Sequence, residues 1–290
     1  MERWVLLRKG ADFAAIARRF QISPRLACLI RNRDVIGEDA IGRYLNGTAS
    51  DLYDGMLMKG MDKAVEILRE KINGHQRIRV IGDYDIDGVN ATYILLEGIE
   101  ALGGDVDMDI PDRVADGYGL NRSLIERAYR EGIDTVITCD NGIAASDEIA
   151  YGKSLGMTVI VTDHHEVPYE EEGDGRRYLL PPADAVIDPK QPDCGYPFKG
   201  LCGAAVAYKL VEALAKMMGR DAKELEHLIE NVAVATVGDV MDLEDENRIF
   251  VKEGLRRLGN TENLGLRALI ECTKLEREEI RAYHIGFILG

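Results

Sequence analysis

Between Arg77 and Asp188 short apolar runs alternate with helical segments, and no other feature restricts the possible folds of this chain so strongly. The runs Ile78–Ile81, Val106–Ile110, Thr135–Thr138, Thr158–Val161 and Ala185–Ile187 read as strands, separated by helical patterns around 89–102, 121–131 and 144–155. Strand-then-helix repetition predicts an α/β fold with a doubly wound, mainly parallel five-stranded sheet and helices on both faces. In such sheets ligands bind outside the carboxyl ends of the strands.

Each predicted strand is followed by at least one acid or histidine. Asp83, Asp85 and Asp87 follow the first; Asp112 and Arg113 the second; Asp140 the third; Asp163, His164 and His165 the fourth; Asp188 the fifth. Three carboxylates at every second position crowd negative charge into a few ångströms, which is unfavourable unless a hard cation sits among them. Taken alone, Asp87-Gly88 also reads as a solvated turn whose Asp caps the next helix. The coincidence across strand ends favours a metal-centred site at this edge. An EF-hand is excluded: Asp83-x-Asp85-x-Asp87-Gly88 copies its first half, but the twelfth position is Ile94 instead of a bidentate Glu, and a strand precedes the loop. Asp239 is a further acid inside an apolar stretch, Val232 to Val240, which implies pairing or metal ligation.

The remaining segments are predominantly helical. Residues 1–75 read as a helical lead-in packed on the core, with helices over Asp12–Phe20, from Ser23-Pro24, over Glu38–Leu45 and over Met61–Ile72. Residues 76–240 read as the main α/β domain and 241–290 as a helical connector. Between the fourth and fifth strands an acidic patch (Glu170, Glu171, Glu172, Asp174) is expected in a loop, and Leu243–Asn247 in a solvated turn. The small residues Gly203, Ala204 and Ala205 open a helix whose free N–H groups could take a phosphate, although close helix packing explains them equally well.

Composition adds exclusions. With 46% apolar and 30% charged residues the chain is of ordinary globular type. Met1 to Gly10 has neither the charge pattern nor the apolar run of a signal peptide or membrane span, so a cytoplasmic location is expected. Five scattered cysteines without a C-x-x-C pair indicate reduced thiols, mainly buried. A net charge of −15 argues against broad adhesion to polyanions, although a basic groove can be local or lie on another domain.

Four motifs, Gly82-Asp-Tyr-Asp-Ile-Asp-Gly88, Thr138-Cys-Asp-Asn-Gly-Ile143, Asp163-His-His165 and Gly238-Asp-Val-Met-Asp-Leu243, resemble in content and order those of the DHH phosphoesterase superfamily. Further likeness at Ile110–Arg113, Gly117–Asn121, Tyr196–Leu201 and Asn247–Leu258 points to its RecJ branch of single-strand-specific exonucleases. The resemblance implies that Asp85, Asp87, Asp140, His164 and Asp239 hold two divalent cations, Mn²⁺ or Mg²⁺, with Asp140 bridging them. It places His165 near the scissile phosphate. Ile81 stands where many superfamily members carry a His, so one metal site is expected to lean on Asp83 or water. Arg113 reads as a phosphate clamp or as a surface ion-pair residue.

The function implied is a two-metal phosphodiesterase, a 5′-to-3′ exonuclease that hydrolyses single-stranded DNA to mononucleotides in DNA repair and recombination. Two alternatives remain open: a phosphoesterase of the same fold acting on short oligoribonucleotides, cyclic dinucleotides or pyrophosphate, and a non-catalytic scaffold. The apolar run Ile285 to Gly290 is expected to continue into a further domain that grips the nucleic acid, and residues 1–290 alone are expected to hold single-stranded DNA weakly.

Overall fold

The computed structural model describes residues 5, 9–114, 117, 119–173, 175–276 and 280–290. Tyr118 and Asp174, each part of a sequence motif above, lie outside the described residues, as does most of Met1–Gly10. The chain forms two compact units, Met1–Leu52 and Tyr53–Gly290.

The first unit contains helices α1 (Phe13–Phe20), α2 (Pro24–Asn32) and α3 (Glu38–Asn46). Asp12 caps α1 by accepting from the Ala15 N–H, and Ser23 caps α2 by accepting from Leu26, with Pro24 at the first helical position. These are the start signals legible in the sequence.

The second unit begins with a 3₁₀ turn (Gly55–Leu57) and α4 (Met61–Asn73) and builds the sheet from β1 (Arg77–Ile81), β2 (Asp105–Asp109), β3 (Thr135–Cys139), β4 (Thr158–Thr162) and, after a hairpin, β7 (Ala185–Ile187). All pairings among these strands are parallel and the order is β2-β1-β3-β4-β7. The expected five-stranded parallel sheet is thus present. Side chains alternate between its faces. Ile81, Val136, Val159 and Val161 pack under α6 (Arg122–Arg130) and α7 (Ser146–Ser154). On the other face lie α5 (Ile86–Ala101) and α8 (Gly203–Met217), with α4 against β7. Helices α9 (Ile229–Gly238) and α10 (Asp245–Leu258) form a further layer, followed by α11 (Leu264–Cys272) and α12 (Ala282–His284). The order reverses between β1 and β3, which makes the gap beyond their carboxyl ends the topological switch point.

Two expectations are corrected. The acidic patch expected in a loop belongs to an antiparallel hairpin, β5 (Tyr169–Glu172) paired with β6 (Gly175–Tyr178). Consecutive glutamates would repel one another in a strand, but Glu170 and Glu171 stand opposite Arg177 and Arg176, and the Tyr169 and Tyr178 rings pair at 5.9 Å. The turn expected over Leu243–Asn247 is instead the entry to α10, where Glu246 and Asn247 are fully buried. Glu246 is buried because a lysine meets it: Lys209 Nζ of α8 donates to its Oε1 at 2.7 Å, the Tyr53 N–H donates to the same oxygen at 2.8 Å, and Tyr196 Oη donates to Oε2 at 2.6 Å. A charge with no local apolar pattern looks exposed in sequence, and only the fold supplies its partner.

A buried ion pair costs more when one member is removed than the pair itself contributes. Lys209→Met leaves the Glu246 carboxylate without its cation and is expected to lower unfolding free energy by about 3–5 kcal/mol. Urea unfolding measures this, and a loss below about 1 kcal/mol would mean that the tyrosine partners alone satisfy Glu246.

Candidate metal centre

The site is assembled at the carboxyl ends of β1, β3 and β4. After β1 the chain turns through Gly82 into α5, and each carboxylate of the turn has a different partner. Asp83 is fully buried and accepts from the Tyr84 N–H at 2.7 Å. Asp85 caps α5 by accepting from the Gly88 N–H at 2.9 Å. Asp87 reaches away from its own helix and accepts from the N–H groups of Gly203 and Ala204 at 2.6 and 2.7 Å. The positive end of α8 is therefore occupied by this side chain, which settles the two readings of Gly203–Ala205 in favour of close packing. A Cβ on Gly203 would stand 2.7 Å from the Asp140 Cβ, so only glycine lets Asp140 approach.

After β3, Asp140 adopts a left-handed φ of 59° and Gly142 one of 107°. The Thr138 hydroxyl donates to the Asn141 carbonyl at 2.8 Å, and Asn141 Nδ2 donates to the carbonyl of Cys139 at 2.9 Å. After β4, Asp163 ties the loops together: its Oδ1 accepts from the His164 N–H at 2.7 Å and lies 2.7 Å from His165 Nδ1, while Oδ2 accepts from the Ile143 N–H at 2.9 Å. Burial opposes charge on Asp163, yet the His165 hydrogen bond, the imidazole charge and the backbone donors together hold its carboxyl below the usual range. The same hydrogen bond, reinforced by nearby carboxylates, raises His165 to about 9.

Four of the five expected ligands converge. His164 Nε2 lies 3.0 Å from Asp140 Oδ1, 3.5 Å from Asp87 Oδ2 and 3.8 Å from Asp239 Oδ2. Among the described residues, Asp87, His164 and Asp239 form one cluster with ligand atoms within 4.8 Å of one another, and Asp140, His164 and His165 form a second. Burial, then repulsion from Asp140, pushes the Asp87 carboxyl well up. Burial, then the charges of Asp85 and Asp163, pushes Asp140 up to about 9. Asp239 is also raised, by burial and by Asp85. Asp140 Oδ1, although close to His164, makes no hydrogen bond. Buried carboxylates that repel one another, with an acceptor atom left over and an imidazole among them, fit an oxygen-preferring divalent cation.

The other expected site residues stand apart. Asp85 belongs to neither cluster, although its charge is felt by Asp140 and Asp239. Asp83 belongs to neither cluster. Ile81 is fully buried and offers no ligand atom. Arg113 is exposed on the loop after β2, its guanidinium 5.0 Å from the centre of the Tyr84 ring. Two residues that sequence reasoning counted only among the groups at the strand ends have specific partners here. Asp163 is the first; an Asp whose carboxylate can accept from the next two N–H groups was the available signal. Asp188 is the second: fully buried, it accepts from the Lys190 N–H at 2.7 Å and is pushed up to about 7, chiefly by burial.

Residues 77–236, more than half of the chain, match the DHH family, N-terminal domain, and the chain belongs to that family. Its curated relatives include "Single-stranded-DNA-specific exonuclease RecJ" of Bacillus subtilis, 36% identical over 99% of this chain and 35% of the relative. The protein of the same name from Salmonella typhimurium is 35% identical over 98% of this chain and 49% of the relative. The chain thus spans about a third to a half of the length of these relatives. A solved structure of RecJ from Thermus thermophilus in complex with Mn²⁺ is 30% identical, with a TM-score of 0.78 over 99% of this chain and 39% of that one.

The packing of Gly203 against Asp140 carries a test. Gly203→Ala favours the helix by propensity, but it drives a methyl group into the Asp140 side chain. Mn²⁺ affinity measured by titration calorimetry is expected to fall at least about tenfold, the scale seen when groups that orient a ligand are disturbed. Unchanged affinity would show that Asp140 does not depend on this close approach.

Proposed function

We propose that this chain is the catalytic part of a two-metal phosphodiesterase that removes mononucleotides from the 5′ end of single-stranded DNA. The observation that carries the reading is the convergence of Asp87, Asp140, His164 and Asp239 at the switch point of the sheet. Relatives named as single-stranded-DNA-specific exonucleases, and a similar structure holding Mn²⁺, support it.

Asp87, Asp140, His164 and Asp239, with Asp85 beside them, would hold the ions. When bound, a pair of divalent ions supplies a nucleophilic water and stabilises the attacking and leaving oxygens of an in-line displacement at phosphorus. The imidazole among the ligands tilts the choice toward Mn²⁺ over Mg²⁺. The α8 N-terminus keeps Asp87 aimed by fixing both of its oxygens. His165 is half-exposed with Nδ1 committed to Asp163, which leaves its other nitrogen to donate a hydrogen bond to a phosphoryl oxygen of the substrate. Arg113, exposed beside the Tyr84 ring, is the candidate clamp for a neighbouring phosphate, and Asp83 stiffens the turn that carries Asp85 and Asp87.

Comparing oligonucleotides labelled at the 5′ or the 3′ end, as single strands and as duplexes, tests the activity. Metal-dependent release of mononucleotides from the 5′ end of single strands is expected; release from the 3′ end, or exclusive action on dinucleotides, would refute the assignment. Mn²⁺ is expected to raise the melting temperature of the chain, because it binds the folded state and relieves carboxylate repulsion, and Asp140→Ala is expected to abolish that rise. In His165→Ala, turnover is expected to fall by about 10²- to 10⁴-fold while Mn²⁺ affinity stays nearly intact. Loss of metal equal to that of His164→Ala would place His165 among the ligands instead.

A further inference from the structure

The carboxyl edge of the sheet carries a cation at each of its ends. Arg113 follows β2 at one end and Lys190 follows β7 at the other, with the strands that lead to the metal centre between them. The backbone at Lys190 is fixed. Its N–H donates to Asp188 Oδ1 at 2.7 Å, and the buried Gln191 donates through Nε2 to the carbonyls of Val186 and Asp188 at 3.0 and 3.3 Å. From this turn the half-buried Lys190 side chain reaches the loop after β4. Nζ lies 3.2 Å from Oε1 of Glu166, the residue that directly follows His165. The charge of Lys190 also acts on the metal centre: burial and the Asp85 charge raise Asp239, while His164, His165 and Lys190 act in the opposite sense.

Glu166 holds this ammonium group weakly. Its side chain is 88% exposed, and a pair with one well-hydrated member loses little when it separates. A phosphate is a ready alternative partner, because lysine binds phosphate as a point charge. We propose that Lys190 is a substrate-contact residue whose ammonium group exchanges Glu166 for a phosphate of the bound strand, the one next to the phosphate at the metal centre. This rests on the phosphodiesterase reading above and adds to it a second phosphate contact. A strand of several nucleotides can use that contact, and a substrate with a single phosphate cannot. Glu166 then competes with the strand for the same cation.

Fluorescence anisotropy of a labelled phosphorothioate oligonucleotide, which resists hydrolysis, tests the proposal on the Mn²⁺-loaded chain across a salt series. Lys190→Gln is expected to weaken binding about fivefold, the scale of one net hydrogen bond. It is also expected to reduce the steepness of log affinity against log salt by about 0.7, the share of one phosphate contact on a single strand. Lys190→Arg keeps the charge and is expected to keep both affinity and slope. Glu166→Gln removes the competing carboxylate and is expected to tighten binding about twofold, the small scale of an exposed pair. The two glutamine substitutions thus act in opposite directions, whereas a purely structural ion pair would make them act alike. Weakening by Glu166→Gln, an unchanged affinity or salt slope in Lys190→Gln, or absence of binding by the unaltered chain overturns the proposal. Hydrolysis of bis(p-nitrophenyl) phosphate by the unaltered chain reads the metal centre alone. Its absence would count against the phosphodiesterase reading, while the anisotropy series still decides the part of Lys190.

Discussion

The arrangement of this molecule depends on keeping two buried carboxylates, Asp87 and Asp140, close enough to share the imidazole of His164. Burial pushes both carboxyls up, with repulsion from Asp140 adding to Asp87 and the charges of Asp85 and Asp163 adding to Asp140. Two features of α8 make the approach possible. Its first N–H groups hold Asp87 with both oxygens, and its first residue, Gly203, has no side chain to keep Asp140 away. A cation placed among these groups completes a balance that the backbone has partly prepared.

The sheet supplies the geometry. The central strands β1, β3 and β4 end side by side, so residues that are 77 positions apart, Asp87 and His164, come within 3.5 Å. Asp163 turns this coincidence of strand ends into a defined site, because one carboxylate orients His165, closes the turn before His164 and anchors the loop after β3 through Ile143.

Asp239 reaches the site from a different layer. It follows α9, whose neighbour α10 is fixed to α8 through Glu246 and Lys209. The buried ion pair is remote from the chemistry, yet it joins the helix that holds Asp87 to the helix that follows Asp239. Fully satisfied buried charges of this kind add positional definition more than net stability.

The sequence by itself determined the fold class and most of the acids and imidazoles that gather at the edge of the sheet. Alternating β-branched runs and helical periods read out the five parallel strands, because local side-chain pattern decides strand against helix, and Asp87, Asp140, His164 and Asp239 were legible as acids and an imidazole placed directly after apolar runs. What only the tertiary structure decided concerns partners. The glutamates of β5 looked like loop residues until Arg176 and Arg177 stood opposite them, and Glu246 looked solvated until Lys209 came to it. The helix start at Gly203 could have served a phosphate until Asp87 filled it. The physical reason is common to all three: the favourable place of a charge depends on the partner that neutralises it, and a partner distant in sequence leaves no periodic trace in the chain.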